Sequence, residues 1–235
     1  MSKIVAHLSD RWYASRWGDR GMSKLLARVL LRIGGWTAVS EPPDVKKYVL
    51  IAAPHTSNWD FVWTLAFARL YGVRIQWIGK HTLFRWPFGM FMRWLGGISV
   101  QRDRRQSLVR QMANELNAAD SMCLVVPVEG TRGHVKHWKS GFYHIARAAK
   151  VPIVMGFLDY GQHRGGFGPA LTPTGDLSGD MDRIRGFYAD KRGKFPHKGG
   201  TIRLAEEDSV AMKVLAARQV AEPVPLAADA LAADA

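Results

Sequence analysis

Apolar residues fall in short runs separated by amphipathic stretches. Runs near 47–53, 74–78, 97–101, 121–128, 151–158 and 201–205 have buried-strand length; Met122-Cys123-Leu124-Val125-Val126-Pro127-Val128 is the clearest. Apolar residues at helical spacing predict helices near 22–33, 59–71, 106–118, 140–149 and 180–192, with a further one near 207–220. Strands alternating with helices predict an α/β fold whose mostly parallel central sheet is flanked by helices. Residues 159–179 contain many Gly and Pro and read as a long loop. Residues 22–33 form a basic amphipathic pattern that suits either packing on the core or lying at a membrane interface. Residues 221–235 are Ala/Pro-rich without Lys or Arg and predict a disordered tail. The expected organisation is a helical segment over 1–44, one domain over 45–220 and the tail over 221–235, with no internal repeat.

Chemistry concentrates where the run 47–53 gives way to the helix 59–71. His55-Thr56-Ser57-Asn58-Trp59-Asp60 sets a histidine five positions before a carboxylate. Five steps of a regular helix would put the two side chains about 140° apart. The pair can meet only if His55 lies in the strand-to-helix loop and Asp60 in the first helical turn. Pro54 ends the strand, and Ser57 or Asn58 can cap the helix, which is a more ordinary role for Ser57 than that of a nucleophile. The helix N-terminus favours an ionised Asp60. One imidazole nitrogen would then bond the carboxylate while the other faces the cleft as a base.

Two further strand ends add charge. Glu129-Gly130-Thr131-Arg132 follows the strand 121–128 and offers turn N–H groups, a hydroxyl and a guanidinium, which are the parts of an anion site. Gly97-Ile98-Ser99-Val100-Gln101-Arg102 is another short strand ending in a cation.

Taken in order with Val151-Pro152-Ile153-Val154, these segments resemble the four sequence blocks of the glycerolipid acyltransferases, of which the lysophosphatidic-acid acyltransferases are the best-known members. The resemblance covers roughly residues 45 to 175. It departs from the family pattern at Pro54 (usually Asn), at Val128 (usually Pro directly before the Glu) and at Gln101 (often acidic). The resemblance implies transfer of a fatty acyl group from acyl-CoA or acyl carrier protein to the hydroxyl of a lysophosphatidic-acid-like or related phosphorylated acceptor. His55 would be the general base and Asp60 its orienting acid. Arg102, Gly130, Thr131 and Arg132 would hold the acceptor phosphate, with Glu129 supporting them by pairing with an arginine. A thioester is already activated, so neither a cofactor nor a metal is implied. An unphosphorylated alcohol or amine acceptor stays open as an alternative. So does a non-catalytic basic module that binds anionic lipid, although such a module would not require the His55/Asp60 pair.

Composition adds the setting. A net charge of +13 and a pI near 10.2 imply an anionic partner. Residues 69–110 hold Arg69, Arg74, Lys80, Arg85, Arg93, Arg102, Arg104, Arg105 and Arg110 against a single acid, Asp103. No nucleic-acid motif accompanies them, so an anionic membrane surface or phosphorylated substrates are the expected partners. Between residues 77 and 95, Trp77, Trp86 and Trp94 interleave with Phe, Met and cations, a mixture suited to a lipid headgroup boundary. No uncharged apolar stretch approaches the ~18 residues of a membrane span, and the N-terminus lacks the apolar core of a signal peptide. The single Cys123 excludes an internal disulfide and fits a reducing compartment. The expected location is therefore cytoplasmic, at the inner face of the membrane. His134, His137 and His144 lack a metal-ligand pattern and have Lys136 and Lys139 beside them.

Overall fold

Branched apolar runs build one seven-stranded sheet, in the order β1-β7-β6-β2-β5-β3-β4. The computed structural model describes residues 21–100 and 105–209. The strands are β1 (Thr37–Val39), β2 (Lys47–Ala53), β3 (Ile75–Lys80), β4 (Gly97–Val100), β5 (Met122–Pro127), β6 (Ile153–Asp159) and β7 (Arg164–Leu171). The helices are α1 (Gly21–Ile33), α2 (Trp59–Tyr71), α3 (Gly89–Trp94), α4 (Arg105–Ala118), α5 (Gly141–Ala149) and α6 (Leu177–Tyr188). Strand pairing is parallel except between β6 and β7. The sheet is therefore the mostly parallel, helix-flanked one that the alternating pattern predicts.

Both faces of β2 are buried, which is why it reads as a continuous apolar run rather than an alternating one. Val49, Ile51 and Ala53 point to one face, where α4, α5 and α6 supply Met112, Leu116, Phe142, Ile145, Met181 and Ile184. Tyr48 and Leu50 point to the other, over Cys123, Val125 and Val154, and meet Ala68 of α2. α1 packs on α2 and buries Leu31, while Leu26 and Ile33 remain exposed on its outer side. Its amphipathic pattern thus serves packing on one stripe and leaves a second apolar stripe in solvent.

The structure departs from the sequence pattern in the C-terminal half. Residues 164–171, read as part of a long loop, form β7, which returns antiparallel to β6 and carries β1 on its far side. Its glycines reflect close approach rather than a loop: a Cβ on Gly166 would lie 1.8 Å from the carbonyl oxygen of Val39. The strand expected over 201–205 is reduced to one bridge, Leu204 to Trp138, with Leu204 fully buried. A helix begins over 205–209, and the rest of the helix expected near 207–220 lies outside the described residues, as does the tail 221–235.

Candidate active site

β6, β2 and β5 are neighbours, run parallel, and end at the same edge of the sheet. Parallel sheets place ligands at that carboxyl edge. Each of the three strands delivers one side chain there: His55 just beyond β2, Glu129 just beyond β5, and Tyr160 immediately after β6.

The turn between β2 and α2 is organised around Asp60, which is buried in the first turn of α2. Asp60 Oδ2 accepts the backbone N–H groups of Thr56 and Ser57, each at 2.9 Å. His55 Nδ1 lies 3.2 Å from the same oxygen. Ser57 Oγ accepts the Trp59 N–H at 3.2 Å, so Ser57 does the capping work, and Asn58 contributes no side-chain bond. The loop thus folds back over its own carboxylate, as the five-residue spacing requires. The imidazole is partly open to solvent, and its Nε2 has no hydrogen-bond partner among the described residues.

Tyr160 completes the acid's shell. Its hydroxyl donates to Asp60 Oδ1 at 2.7 Å across 100 residues of sequence. Burial pushes the Asp60 carboxyl up, but hydrogen bonds from His55, Tyr160 and the Ser57 N–H outweigh it and hold the group below the usual carboxylate range. Burial, and then Asp60 itself, push the Tyr160 phenol up, so it stays a donor.

Glu129 is a second acid in the same place with the opposite character. It is fully buried, and its Oε2 accepts the His55 backbone N–H at 3.3 Å. Burial pushes its carboxyl up to about 7, against the Gly200 N–H and His55, while the Asp60 charge adds to the rise. Two acids around one histidine are therefore driven apart, Asp60 firmly ionised and Glu129 readily protonated. Among the described residues no arginine pairs with Glu129. Among the described residues the partner of Glu129 is instead the main-chain N–H of His55.

Gly130, Thr131 and Arg132 continue the chain from Glu129. Gly130 turns the chain at φ 68°, its N–H bonded to the Pro127 carbonyl. Thr131 and Arg132 follow it at the surface. Arg102 lies outside the described residues.

A family model described as Acyltransferase matches residues 36–155, spanning both the His55/Asp60 turn and the Glu129 turn. The chain belongs to the acyltransferase family. It is similar to the solved structure of the 1-acyl-sn-glycerophosphate (LPA) acyltransferase, PlsC, from Thermotoga maritima. The two are 17% identical, with a TM-score of 0.47 over 80% of this chain and 88% of that one. No curated protein matches the chain.

One surface of the acyltransferase borders this site, and a second lies beyond β3. After α6, residues 189–200 run across the carboxyl edge as a strap. Arg192 N–H bonds buried Asp159, and the Arg192 carbonyl accepts the Tyr160 N–H at 2.8 Å. Phe195 N–H reaches the Thr56 hydroxyl at 3.2 Å. Gly193 permits this closeness, since a Cβ there would lie 2.7 Å from Thr56 Oγ1. Beyond β3, residues 81–94 form a 3-10 turn and α3 anchored by buried Phe84. They leave Trp86 93% and Met90 82% exposed, with Phe88 and Phe91 beside them.

Tyr160 and the strap carried no local motif in the sequence. The only available sign was that Asp159 and Tyr160 sit at the end of an apolar run parallel to β2. His137 and His144 meet carboxylates the sequence spacing does not bring near, Asp208 at 2.7 Å and Glu206 at 3.7 Å. They tie the loop after Arg132 and α5 to residues 205–209. Among the described residues no group of His, Cys, Asp and Glu could hold a metal. Cys123 is buried beneath Tyr48, its thiol pushed up to about 12 by burial.

Proposed function

We propose that the protein moves a fatty acyl group from acyl-CoA or acyl carrier protein to the hydroxyl of a lysophosphatidic-acid-like or related phosphorylated acceptor. The observation carrying this reading is the 3.2 Å approach of His55 Nδ1 to the buried Asp60 carboxylate, on an imidazole partly open to solvent whose Nε2 has no partner among the described residues. As the acceptor oxygen attacks the thioester carbonyl, His55 Nε2 takes its proton. The C–S bond then breaks and the proton passes to the departing thiolate. Asp60 fixes the imidazole tautomer and offsets the charge it gains; Tyr160 holds Asp60. Glu129 fixes the loop through the His55 N–H. Gly130, Thr131 and Arg132, together with Arg102, bind the acceptor phosphate. In support of that role, Arg132 is exposed and has no carboxylate partner among the described residues.

The site would work at a membrane surface, where such acceptors reside. Exposed Trp86, Phe88 and Met90 beside the cations of residues 69–110 suit insertion among anionic headgroups. Among the described residues no helix is long and apolar enough to cross a membrane.

The test is purified protein with acyl-CoA and acyl carrier protein donors and a panel of phosphorylated and unphosphorylated acceptors, with product masses read by mass spectrometry. His55→Ala should cost about 10²–10⁴-fold in turnover with the melting temperature retained. A folded His55→Ala protein turning over near the normal rate would refute the mechanism.

A further inference from the structure

Direct transfer without a covalent enzyme intermediate requires donor and acceptor to be bound together, so two phosphorylated molecules must share one cleft. Placing both anions on one cluster of arginines would set like charges against each other. Among the described residues, cations instead follow two different strand ends beside the His55 turn. Arg132 lies beyond β5, and the strap lies over the ends of β2 and β6.

The strap's lysines divide by what they touch. Lys191 is committed to structure: its Nζ lies over the Phe157 and Phe187 rings at 5.3 and 4.9 Å, and it pairs with Asp190. Lys194 Nζ lies 5.4 Å from the centre of the Trp59 ring, and Lys198 Nζ lies 4.6 Å from that of Phe195. Neither lysine has a carboxylate partner among the described residues. Trp59 is half exposed and immediately precedes Asp60, while Phe195 is joined by its N–H to the residue after His55. Two aromatic faces, each bearing an ammonium, are therefore fixed to the catalytic turn itself. An aromatic face beside a cation suits a phosphorylated, partly planar group.

Resting on the acyl-transfer reading above, we propose that Lys194 and Lys198, set on Trp59 and Phe195, bind the phosphates of a phosphopantetheine thioester donor, on the flank of His55 opposite the acceptor phosphate. The strap delivers the thioester to His55 from the β6 side. Arg132 presents the acceptor hydroxyl from the β5 side.

The test compares the full chain with the double variant Lys194→Gln/Lys198→Gln and with Lys194→Arg/Lys198→Arg, after thermal melts confirm that all fold. Calorimetric titration with coenzyme A is read first because it does not depend on turnover. The Gln pair should weaken binding about three- to twentyfold, as expected for two charges at the surface, one exposed and one half-buried. The Arg pair should stay near wild type, and the gap should close as salt rises. In steady state the Gln pair should raise the donor KM and leave the acceptor KM unchanged. Coenzyme A, 3′-dephospho-coenzyme A and a phosphopantetheine-loaded acyl carrier protein identify the source of the phosphate. A gap that vanishes with the dephospho form assigns the 3′-phosphate, and one that persists with all three assigns the phosphopantetheine phosphate. Unchanged affinity for every donor, or a rise in acceptor KM alone, overturns the proposal. If donor affinity depends on the lysines but the wild type transfers no acyl group, the catalytic reading fails and this surface stands. If transfer proceeds but the lysines do not matter, only the surface falls.

Discussion

Replacing Glu129 with Gln should stabilise the protein at neutral and higher pH and leave it nearly unchanged in acid. Glu129 is fully buried, and its carboxyl rises from 4.5 to about 7 on folding. A folded-state value above the unfolded one means that the native protein holds the proton more tightly between those two limits. The contribution of Glu129 to wild-type stability therefore falls as pH rises from 4.5 through about 7 and is flat above, where the buried charge is fully formed. A displacement from 4.5 to about 7 corresponds to roughly 3 kcal/mol. Gln mimics the protonated acid, and its amide oxygen can still accept the His55 N–H that Oε2 accepts at 3.3 Å. Urea unfolding of both proteins in steps from about pH 4.5 to 8 gives two curves whose difference cancels the other titrating groups. The gap should start near zero, open toward roughly 3 kcal/mol by neutral pH, and then level off. Curves that stay parallel across this range would show that Glu129 does not carry a buried charge, and would refute the opposed roles of the two acids.

Tyr160→Phe removes the donor to Asp60 Oδ1; a hydrogen bond to a charged group is worth about 1.5–3 kcal/mol, so kcat should fall while both KM values hold. Asp60's folded value lies below its unfolded one, so its stabilisation is present above the unfolded value and lost as pH falls through the folded one. The variant's acid unfolding should therefore begin at higher pH; an unshifted acid limb with normal kcat would remove Tyr160 from the mechanism. Arg132→Ala should lower acceptor efficiency roughly ten- to a hundredfold with the donor KM unchanged, and Arg132→Lys should rescue only partly because an ammonium lacks the planar fork. A donor-only effect would favour an unphosphorylated acceptor. Trp86→Ser/Met90→Ser should reduce co-sedimentation with anionic vesicles, since each large apolar side chain buried contributes about 1.5–3 kcal/mol. Binding that ignores both these changes and salt would leave the segment a structural role only.

The parts legible in sequence are those whose causes are local. The strand 47–53 and the helix 59–71 match β2 and α2 residue for residue, because a buried run, a proline and a capping serine fix them within a few positions. The His55/Asp60 contact follows from the same short segment. β7 was hidden because its glycines answer to the Val39 backbone beside Gly166, a neighbour more than a hundred residues away. Tyr160 and the strap were hidden for a similar reason. Phe195 reaches Thr56 across 139 positions, and only the strand order brings them together. Glu129 was legible as an acid ending a buried strand, but its bond to the His55 main-chain N–H was not, because only the pairing of β5 with β2 brings the two strand ends together.

β2 lies at the middle of the sheet between strands that come later in the chain. A ribosome adding about 5–20 residues per second completes the 100 residues from Asp60 to Tyr160 only after roughly 5–20 s. Until β5 is made the nascent β2 has two open hydrogen-bonding edges, and one stays open until β6 follows, a condition that favours capture by chaperones over early folding. The family match stops at residue 155, inside β6. A chain released at that boundary would keep His55, Asp60 and Glu129 yet lack the end of β6, all of β7 and the tyrosine that holds the acid. Such a fragment should be recovered as an aggregate rather than as a smaller enzyme.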